Sequence, residues 1–258
     1  MDYSDYAADL EQVLERASEA GIKKIISIGT DFASSRRAVA LAEKYPCIYA
    51  AVGWHPCGAM EAPDDIRAEL RDLSANPKVV AIGETGLDHY HLPSQKGGSA
   101  TEDEVYKAKQ VSLFRQHLEV ASEVGLNCVI HQRAAFQPTL DVMGPYSKQV
   151  RGVFHCFVDG PEAAQTIFGL GSLVSFTGIV TFKNSQKVKE TVKKIGLDQF
   201  MLETDAPYLA PAPFRGKRCE PGHVKQIAET VAELKGVTLG ELAEATCRTA
   251  CQFFRNLQ

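Results

Sequence analysis

Val79–Asp88, which reads V-V-A-I-G-E-T-G-L-D, is the stretch that decides the fold of this chain. An apolar run stops at Gly83, and the carboxylates of Glu84 and Asp88 follow within a predicted short turn. A buried strand presents carboxylates at its end in this way, because the apolar run fills the core and the charged groups reach the edge. The stretch therefore predicts a buried strand that ends in two acidic side chains.

Four other apolar runs also end in histidines or carboxylates, at residues 49–55, 128–131, 152–155 and 200–205. Helical patterns separate the runs, and strands that alternate with helices pair in parallel through right-handed crossovers. No G-x-G-x-x-G motif follows a strand, which argues against an open dinucleotide-binding sheet. Only a closed barrel gathers five strand ends around one mouth. The sequence therefore predicts the α/β class, as a TIM-type (β/α)8 barrel in a single domain over residues 1–258.

The periodicities predict one helix followed by seven strand-helix units. The predicted strands cover residues 22–29, 47–54, 79–88, 127–131, 151–157, 173–180 and 200–205. The predicted helices include residues 34–44, 66–73, 136–143, 185–194, 221–235 and 238–254, and a long helix that begins with a capping box at residues 101–104. A complete barrel has one strand more, and this chain starts on the helix that should follow it. We therefore expect the first strand to be missing from this chain.

Composition limits the function only loosely. The formal charge of −4 gives no overall attraction for nucleic acid, but a local basic patch or bound cations can still hold a polyanion, so a nuclease is not excluded. The seven cysteines form no C-x-x-C pair, which favours a reduced, intracellular protein. The first residues are acidic and no apolar run is long enough for a signal peptide or a membrane span. These features predict a cytoplasmic location.

Imidazoles and carboxylates at the strand ends predict a divalent-metal site with nitrogen and oxygen ligands. The candidate ligands are Glu84, His131, His155 and Asp205. Any one of them alone is more simply a polar group at a strand end. Four at the same relative position favour a metal site. Side chains alternate along a strand, so Glu203 and Asp205 are expected to share a face.

Six motifs extend the pattern to most of the chain: GETGLD at 83–88, IHQR at 130–133, FHCF at 154–157, SFTGIVTFKN at 175–184, LETDAPYL at 202–209 and RGKR at 215–218. Together they resemble the TatD family of metal-dependent deoxyribonucleases. The resemblance implies an amidohydrolase-like TIM barrel and a hydrolase that cleaves DNA phosphodiester bonds with metal-activated water. An exonuclease is the favoured form.

The resemblance also assigns metal and catalytic roles. Glu84 is similar to a carboxylate shared by two metals, and His131 and His155 to ligands of one of them. Asp205 is similar to a ligand of the other metal that also orients the attacking water. His55, in the motif G-W-H-P, is similar to a group that meets the substrate phosphate. The expected catalytic residues are therefore Asp205, Glu84 and His55.

Basic and supporting groups complete the predicted site. Arg133, Arg215, Lys217 and Arg218 follow strand ends, where they are expected to grip backbone phosphates together with His55. A solvated charged loop explains Lys217 equally well and Arg218 less well. Asp88 and Glu203 are expected to support the metal ligands.

The sequence departs from the family at its start. Members begin with a strand that carries a His-x-His pair, which completes one metal site, and this chain starts beyond it. Met1 is therefore either an internal start or the start of a shortened protein, and binding of only one metal is left open. His89 and His91 have the same spacing, but they lie in a predicted loop and are disfavoured as replacements.

Two alternatives to a deoxyribonuclease stay open: a barrel hydrolase of amides, esters or lactones, and a metal-poor family member with weak or no activity. The expected cofactors are divalent metals, with Mg, Mn, Zn, Ni and Co not distinguished. The expected partner is DNA, with RNA left open. Neither a membrane nor an obligate protein partner is expected.

Overall fold

The computed structural model describes residue 1 and residues 4–257, in which strands and helices alternate. The strands are β1 Ile25–Ile28, β2 Ile48–Val52, β3 Val79–Asp88, β4 Asn127–Arg133, β5 Gly152–Phe154, β6 Leu173–Phe176 and β7 Phe200–Leu202. The α-helices are α1 Leu10–Glu19, α2 Phe32–Lys44, α3 Arg67–Ser74, α4 Ala100–Val124, α5 Phe136–Met143, α6 Pro161–Gly169, α7 Gln186–Lys194, α8 Val224–Lys235 and α9 Leu239–Phe253. Within the described residues, the prediction of seven strands is confirmed.

The chain folds into two compact units. The central unit comprises Ile26–Phe154 and Phe254–Leu257, and the terminal unit comprises Met1–Ile25 and His155–Phe253. The single domain over residues 1–258 stays a prediction.

The central unit is a parallel sheet with helices between its strands. Its strands follow one another in the order β1 to β5, and β2, β3, β4 and β5 pair in parallel. Every residue of β2 is buried, and so is every residue of β3 except the half-buried Glu84. Burial on both faces is typical of a parallel sheet that is covered by helices.

β3 has the predicted bounds, but the predicted turn after Gly83 is wrong. The strand continues through Gly83 to Asp88, and its register against β4 shifts between Ile82 and Thr85. An irregularity of this kind re-aims the side chain that lies within it. Glu84 therefore leaves the sheet from the middle of a long strand.

The long helix α4 begins earlier than predicted. The capping box lies at Ser99 and Glu102, where the Glu102 N–H donates to Ser99 Oγ at 3.3 Å and the Ser99 N–H donates to the Glu102 carboxylate at 2.6 Å. Both Ser99 and Thr101 are followed by an acid three residues later, and the earlier pair adds residues to the helix. The helix ends at Gly125, whose φ of 68° is left-handed.

The terminal unit contains the parallel pair β6 and β7, together with α1 and α6 to α9. Strands β5, β6 and β7 end three or four residues earlier than predicted, at Phe154, Phe176 and Leu202. After β6, Thr177 caps a 3-10 helix, Gly178–Thr181, in which Val180 is buried. The apolar runs continue past the strands because the following segments are buried as well, and burial alone does not identify a strand.

No helix in the described part of the chain combines the length and the apolar composition that crossing a membrane requires.

Candidate metal centre

His131 lies between two carboxylates of β3. Its partner in the register of β3 and β4 is Gly86, so Glu84 and Asp88 flank it along the neighbouring strand. His131 Nδ1 lies 3.0 Å from Glu84 Oε1, and His131 Nε2 lies 3.1 Å from Asp88 Oδ2. Each ring nitrogen therefore faces a carboxylate, and the contact with Asp88 holds the ring with Nδ1 toward Glu84. His131 therefore presents a ligand atom beside Glu84.

Asp88 is almost fully buried and is held by several donors. Its Oδ1 accepts the backbone N–H groups of Tyr90 and His91, both at 2.9 Å. Burial by itself raises the pKa of this carboxyl, but hydrogen bonds from His131 and His91 outweigh it and hold the pKa well below its usual value. Asp88 is therefore ionised at neutral pH and fixes the orientation of the His131 ring.

His55 meets the same two groups from the end of β2. Its Nε2 lies 3.3 Å from Glu84 Oε1 and 3.2 Å from His131 Nδ1. Its Nδ1 accepts the backbone N–H of Cys57 at 3.1 Å. A neutral imidazole that accepts at Nδ1 carries its proton at Nε2. His55 therefore presents a proton toward Glu84 and His131.

Three potential ligand atoms thus lie within 3.3 Å of one another: His55 Nε2, Glu84 Oε1 and His131 Nδ1. Metal bonds of about 2.0–2.2 Å to nitrogen and oxygen give separations of roughly 3–3.5 Å between neighbouring ligands. The spacing and the mixed imidazole and carboxylate chemistry fit a divalent transition metal. Glu84 Oε1 and His131 Nδ1 fit as ligand atoms, whereas His55 would first have to lose its hydrogen bond from Cys57.

The terminal unit arranges a second imidazole and carboxylate pair. His155 Nδ1 lies 3.6 Å from Glu203 Oε1. The same oxygen accepts the Cys156 N–H at 2.7 Å and the Ser175 hydroxyl at 2.8 Å. These donors hold Glu203 in place, so that its carboxylate faces the His155 ring. A carboxylate beside a histidine commonly orients the ring for metal binding.

The expectation that Glu203 and Asp205 share a face of a strand rests on a strand end that the structure does not have. His155 lies after the end of β5, and Cys156 has a φ of 49°, outside the extended region. Glu203 and Asp205 lie after the end of β7, so strand alternation cannot decide which face they share. The Asp205 carbonyl accepts the Tyr208 N–H at 2.6 Å, which folds the segment into a tight turn.

Two of the predicted phosphate-binding arginines stack on aromatic rings. The Arg133 guanidinium lies 4.0 Å from the centre of the Tyr90 ring, and that of Arg215 lies 3.7 Å from the centre of the Phe182 ring. These cation–π contacts hold each guanidinium group over its ring. Lys217 is exposed.

Arg218 instead joins an ion-pair cluster. It contacts both carboxylate oxygens of Asp9, at 2.8 and 2.6 Å, and Glu220 at 2.9 Å. Hydrogen bonds to Asp9 and then to Glu220 raise the pKa of Arg218 above its usual value. Any grip on a phosphate by Arg218 would therefore have to compete with two carboxylates.

Sequence reasoning missed three supporting residues on α4: Tyr106, Gln110 and His117. His117 is fully buried, and its Nε2 accepts the Trp54 N–H at 2.9 Å, next to His55. Gln110 is buried and bonds both backbone groups of Asp88. These residues recur at steps of four, three and four with Leu113 among them, a helical spacing that could have revealed a buried polar stripe.

Comparison with known proteins identifies relatives along the whole chain. A family model described as TatD related DNase matches residues 1–255. The chain is 41% identical over 251 residues to the uncharacterized metal-dependent hydrolase YabD of Bacillus subtilis (strain 168), covering 97% of this chain and 94% of that protein. It is 31% identical over 258 residues to the 3'-5' ssDNA/RNA exonuclease TatD of Erwinia tasmaniensis, covering 97% of this chain and 95% of that protein.

A solved structure of a TatD homolog has a similar fold. The crystal structure of YJJV, a TatD homolog from Escherichia coli K12, matches with a TM-score of 0.88 and 27% identity, covering 98% of this chain and 94% of that chain. The similarity confirms the predicted α/β barrel class and the resemblance on which the site assignments depend.

Proposed function

We propose that this chain, which belongs to the TatD-related DNase family of metal-dependent hydrolases, cleaves phosphodiester bonds of DNA as an exonuclease. The observation that carries the proposal is the convergence of Glu84 Oε1 and His131 Nδ1, which lie 3.0 Å apart, with His55 Nε2 at 3.2 Å from His131 Nδ1. This arrangement supplies ligands for a divalent cation and a proton donor for an anionic substrate. A phosphodiester requires both.

The proposed metal ligands are Glu84, His131, His155 and Asp205, with Glu84 as the carboxylate shared by two metals. When bound, the divalent metal neutralises charge on the phosphate and lowers the pKa of the attacking water. Asp88 keeps the His131 ring oriented by accepting its Nε2 proton, and Glu203 is proposed to do the same for His155.

The remaining groups are proposed to act on the substrate. Asp205 orients the attacking water. His55 donates a hydrogen bond from its Nε2–H group to a nonbridging phosphate oxygen. This hydrogen bond strengthens as negative charge builds up on that oxygen. Arg133 follows His131 by two residues along β4, so the two side chains leave the same face of the strand. Arg133 and Arg215 are each proposed to bind a substrate phosphate through their guanidinium groups, and Lys217 adds charge.

Single-stranded nucleic acid is the proposed substrate. The relative from Erwinia tasmaniensis is named an exonuclease of single-stranded DNA and RNA. The exposed Tyr90 ring beneath Arg133 supports the same substrate class, because an aromatic ring can stack on an unpaired base.

The test is cleavage of single-stranded DNA labelled at either end, with Mg, Mn, Zn or Co added after removal of metal. We expect stepwise shortening from one end that stops when a chelator is added. Glu84→Gln should lower kcat/KM by about 100-fold or more. Asp141→Asn is the matched control, because Asp141 is an exposed carboxylate on α5 that bonds only Gln137 among the contacts shown, and it should behave as the unaltered protein.

The proposal fails if the metal-loaded protein cleaves neither DNA nor RNA. Hydrolysis of a carboxylic ester or lactone by the same preparation would then favour the other class of barrel hydrolase. Cleavage of RNA but not DNA would keep the reaction and correct the substrate.

A further inference from the structure

A second group of metal-binding side chains lies at the end of β3, beside the centre described above. Cys57 Sγ lies 3.5 Å from Asp88 Oδ2 and 3.8 Å from His91 Nδ1. His91 Nδ1 lies 2.9 Å from the same Asp88 oxygen. One sulfur, one nitrogen and one oxygen therefore form a closed triangle. The proposed hydrolysis uses neither Cys57 nor His91.

We propose that Cys57, Asp88 and His91 form a separate transition-metal site that takes zinc or cobalt. Tetrahedral zinc, with bonds of about 2.3 Å to sulfur and 2.0–2.1 Å to nitrogen and oxygen, places neighbouring ligands roughly 3.3–3.6 Å apart. The two distances from Cys57 Sγ, 3.5 and 3.8 Å, are close to that range without any rearrangement. The 2.9 Å distance is a hydrogen bond, which two metal bonds would replace and lengthen.

The ligands are held in place before any metal binds. The Tyr106 hydroxyl donates to the Cys57 carbonyl at 3.0 Å, and the Cys57 N–H donates to His55. Gln110 Nε2 donates to the carbonyls of Pro56 and Asp88, at 3.2 and 3.1 Å. Because the buried side chain of Gln110 bonds both segments, it fixes the loop that carries Cys57 against the end of β3. A preorganised triangle loses less entropy when a metal binds.

The donor set also selects the metal. A thiolate with an imidazole suits zinc and cobalt, whereas magnesium prefers oxygen ligands. Cys57 is exposed and the His91 side chain is 38% exposed, so a metal can enter from solvent and keep a water molecule as its fourth ligand. Asp88 supplies a full negative charge from a buried position. Three protein ligands with one open position are a common zinc arrangement.

Metal binding at this site releases a proton. Although Cys57 as a whole is exposed, its sulfur atom faces Asp88. Partial loss of solvent around the sulfur, and then the Asp88 carboxylate, raise the pKa of the Cys57 thiol to about 12, so the metal-free thiol is protonated. The zinc–sulfur bond forms as the S–H bond breaks, and that proton goes to solvent. The proton on His91 Nδ1 moves to the Nε2 atom of the same ring. One proton is therefore released for each zinc bound.

The test is titration of the metal-free, reduced protein with cobalt, followed by absorption. We expect a thiolate-to-cobalt charge-transfer band that saturates at one cobalt per chain and that zinc abolishes by displacement. Cys57→Ser and His91→Ala should each remove the band, and each should weaken zinc binding here by more than the roughly 10–100-fold that loss of a supporting hydrogen bond costs. His91 lies in a surface loop, so His91→Ala keeps the test valid if Cys57→Ser folds poorly.

Two controls separate this site from the thiols elsewhere and from the hydrolytic centre. Cys247→Ser removes another exposed thiol, on α9, and should leave the band intact. Glu84→Gln should also leave the band intact, because the site does not use Glu84. The proposal is overturned if no charge-transfer band forms, if it survives Cys57→Ser or His91→Ala, or if Cys247→Ser abolishes it. None of these outcomes depends on nuclease activity.

Discussion

At the scale of single residues, one neighbouring group orients each imidazole of the candidate centre: a backbone N–H for His55 and a carboxylate for His131. The Cys57 N–H occupies His55 Nδ1, so the proton of His55 resides on Nε2 and points at the cluster. His131 Nε2 lies 3.1 Å from the Asp88 carboxylate, which holds the ring with Nδ1 toward Glu84. Two histidines whose nitrogens lie 3.2 Å apart are therefore suited to different roles, donor and ligand.

The first prediction separates these roles. His55→Ala is expected to lower kcat/KM for DNA cleavage on the order of 100-fold, because a proton donor to the substrate is lost, while the metal content per chain stays unchanged. His131→Ala is expected to lose bound metal. Metal analysis after dialysis, together with cleavage rates, checks both. If His55→Ala loses as much metal as His131→Ala, His55 is a ligand and its tautomer must change on binding.

His117 supports a second prediction, about pH. It is buried between the Trp54 N–H and the Leu113 carbonyl, and burial lowers its pKa to about 4. The unfolded chain, with an ordinary histidine pKa of about 6.5, binds more protons than the folded chain between these two values. The stability that neutral His117 contributes is therefore fully present above about pH 6.5 and is lost as the pH falls toward 4.

The measurement is urea unfolding of the metal-free protein at pH 7.5 and 5.0. Between these pH values, the free energy of unfolding should fall by about 2 kcal/mol more in the unaltered protein than in His117→Gln, which has no group to titrate at this position. Chelation in both samples removes any contribution from metal release. Equal losses in the two proteins would show that His117 does not control acid stability.

At the scale of elements, the pairing of β3 with β4 leaves no room for a side chain at Gly86, opposite His131. Gly86 has a φ of 135°, and a Cβ atom there would lie 2.0 Å from the His131 carbonyl oxygen. Gly86→Ala must therefore push the strands apart at the position that carries the metal ligand. We expect it to destabilise the protein by about 2 kcal/mol or more and to lower its metal content.

Gly169→Ala is the matched control for this third prediction. Gly169 ends α6, and nothing lies within 4 Å of the Cβ atom that it lacks. Alanine at this position is expected to be neutral or to stabilise the protein by about 0.5–1 kcal/mol. Thermal melting and metal analysis of both variants test whether a Cβ atom at position 86 disrupts the pairing of β3 with β4. A Gly86→Ala protein with unchanged melting and full metal content would contradict the geometric argument.

The sequence predicts most elements because their apolar periodicity reflects burial, and β3, α5 and the number of strands follow directly from it. It places strand ends poorly, because the segments after Phe154, Phe176 and Leu202 remain buried without being extended. The sequence predicts tertiary contacts even less well. The cluster that joins Arg218 to Asp9 links residues 209 positions apart, and no local pattern indicates that the charge of Arg218 is already paired.

At the scale of the whole molecule, metal binding and folding are linked, because the ligand geometry exists only in the folded chain. Metal at 100 times its dissociation constant should stabilise the fold by about 2.7 kcal/mol, which corresponds to a rise in Tm of roughly 5–10 °C for a chain of this size. We therefore expect a chelator to lower Tm by that amount. With magnesium or manganese as the metal, Glu84→Gln and Asp205→Asn should abolish most of this shift, whereas Asp141→Asn should keep it.

The pattern of these melting shifts also separates the two metal sites. His91→Ala removes only the proposed thiolate site, which binds magnesium and manganese poorly. These two metals should therefore raise the Tm of the His91→Ala variant as much as they raise that of the unaltered protein. Zinc should stabilise His91→Ala less than it stabilises the unaltered protein, because one of its two sites is lost. If chelation leaves Tm unchanged in the unaltered protein, the chain folds without help from metal, and the proposed ligands would not form a tight site.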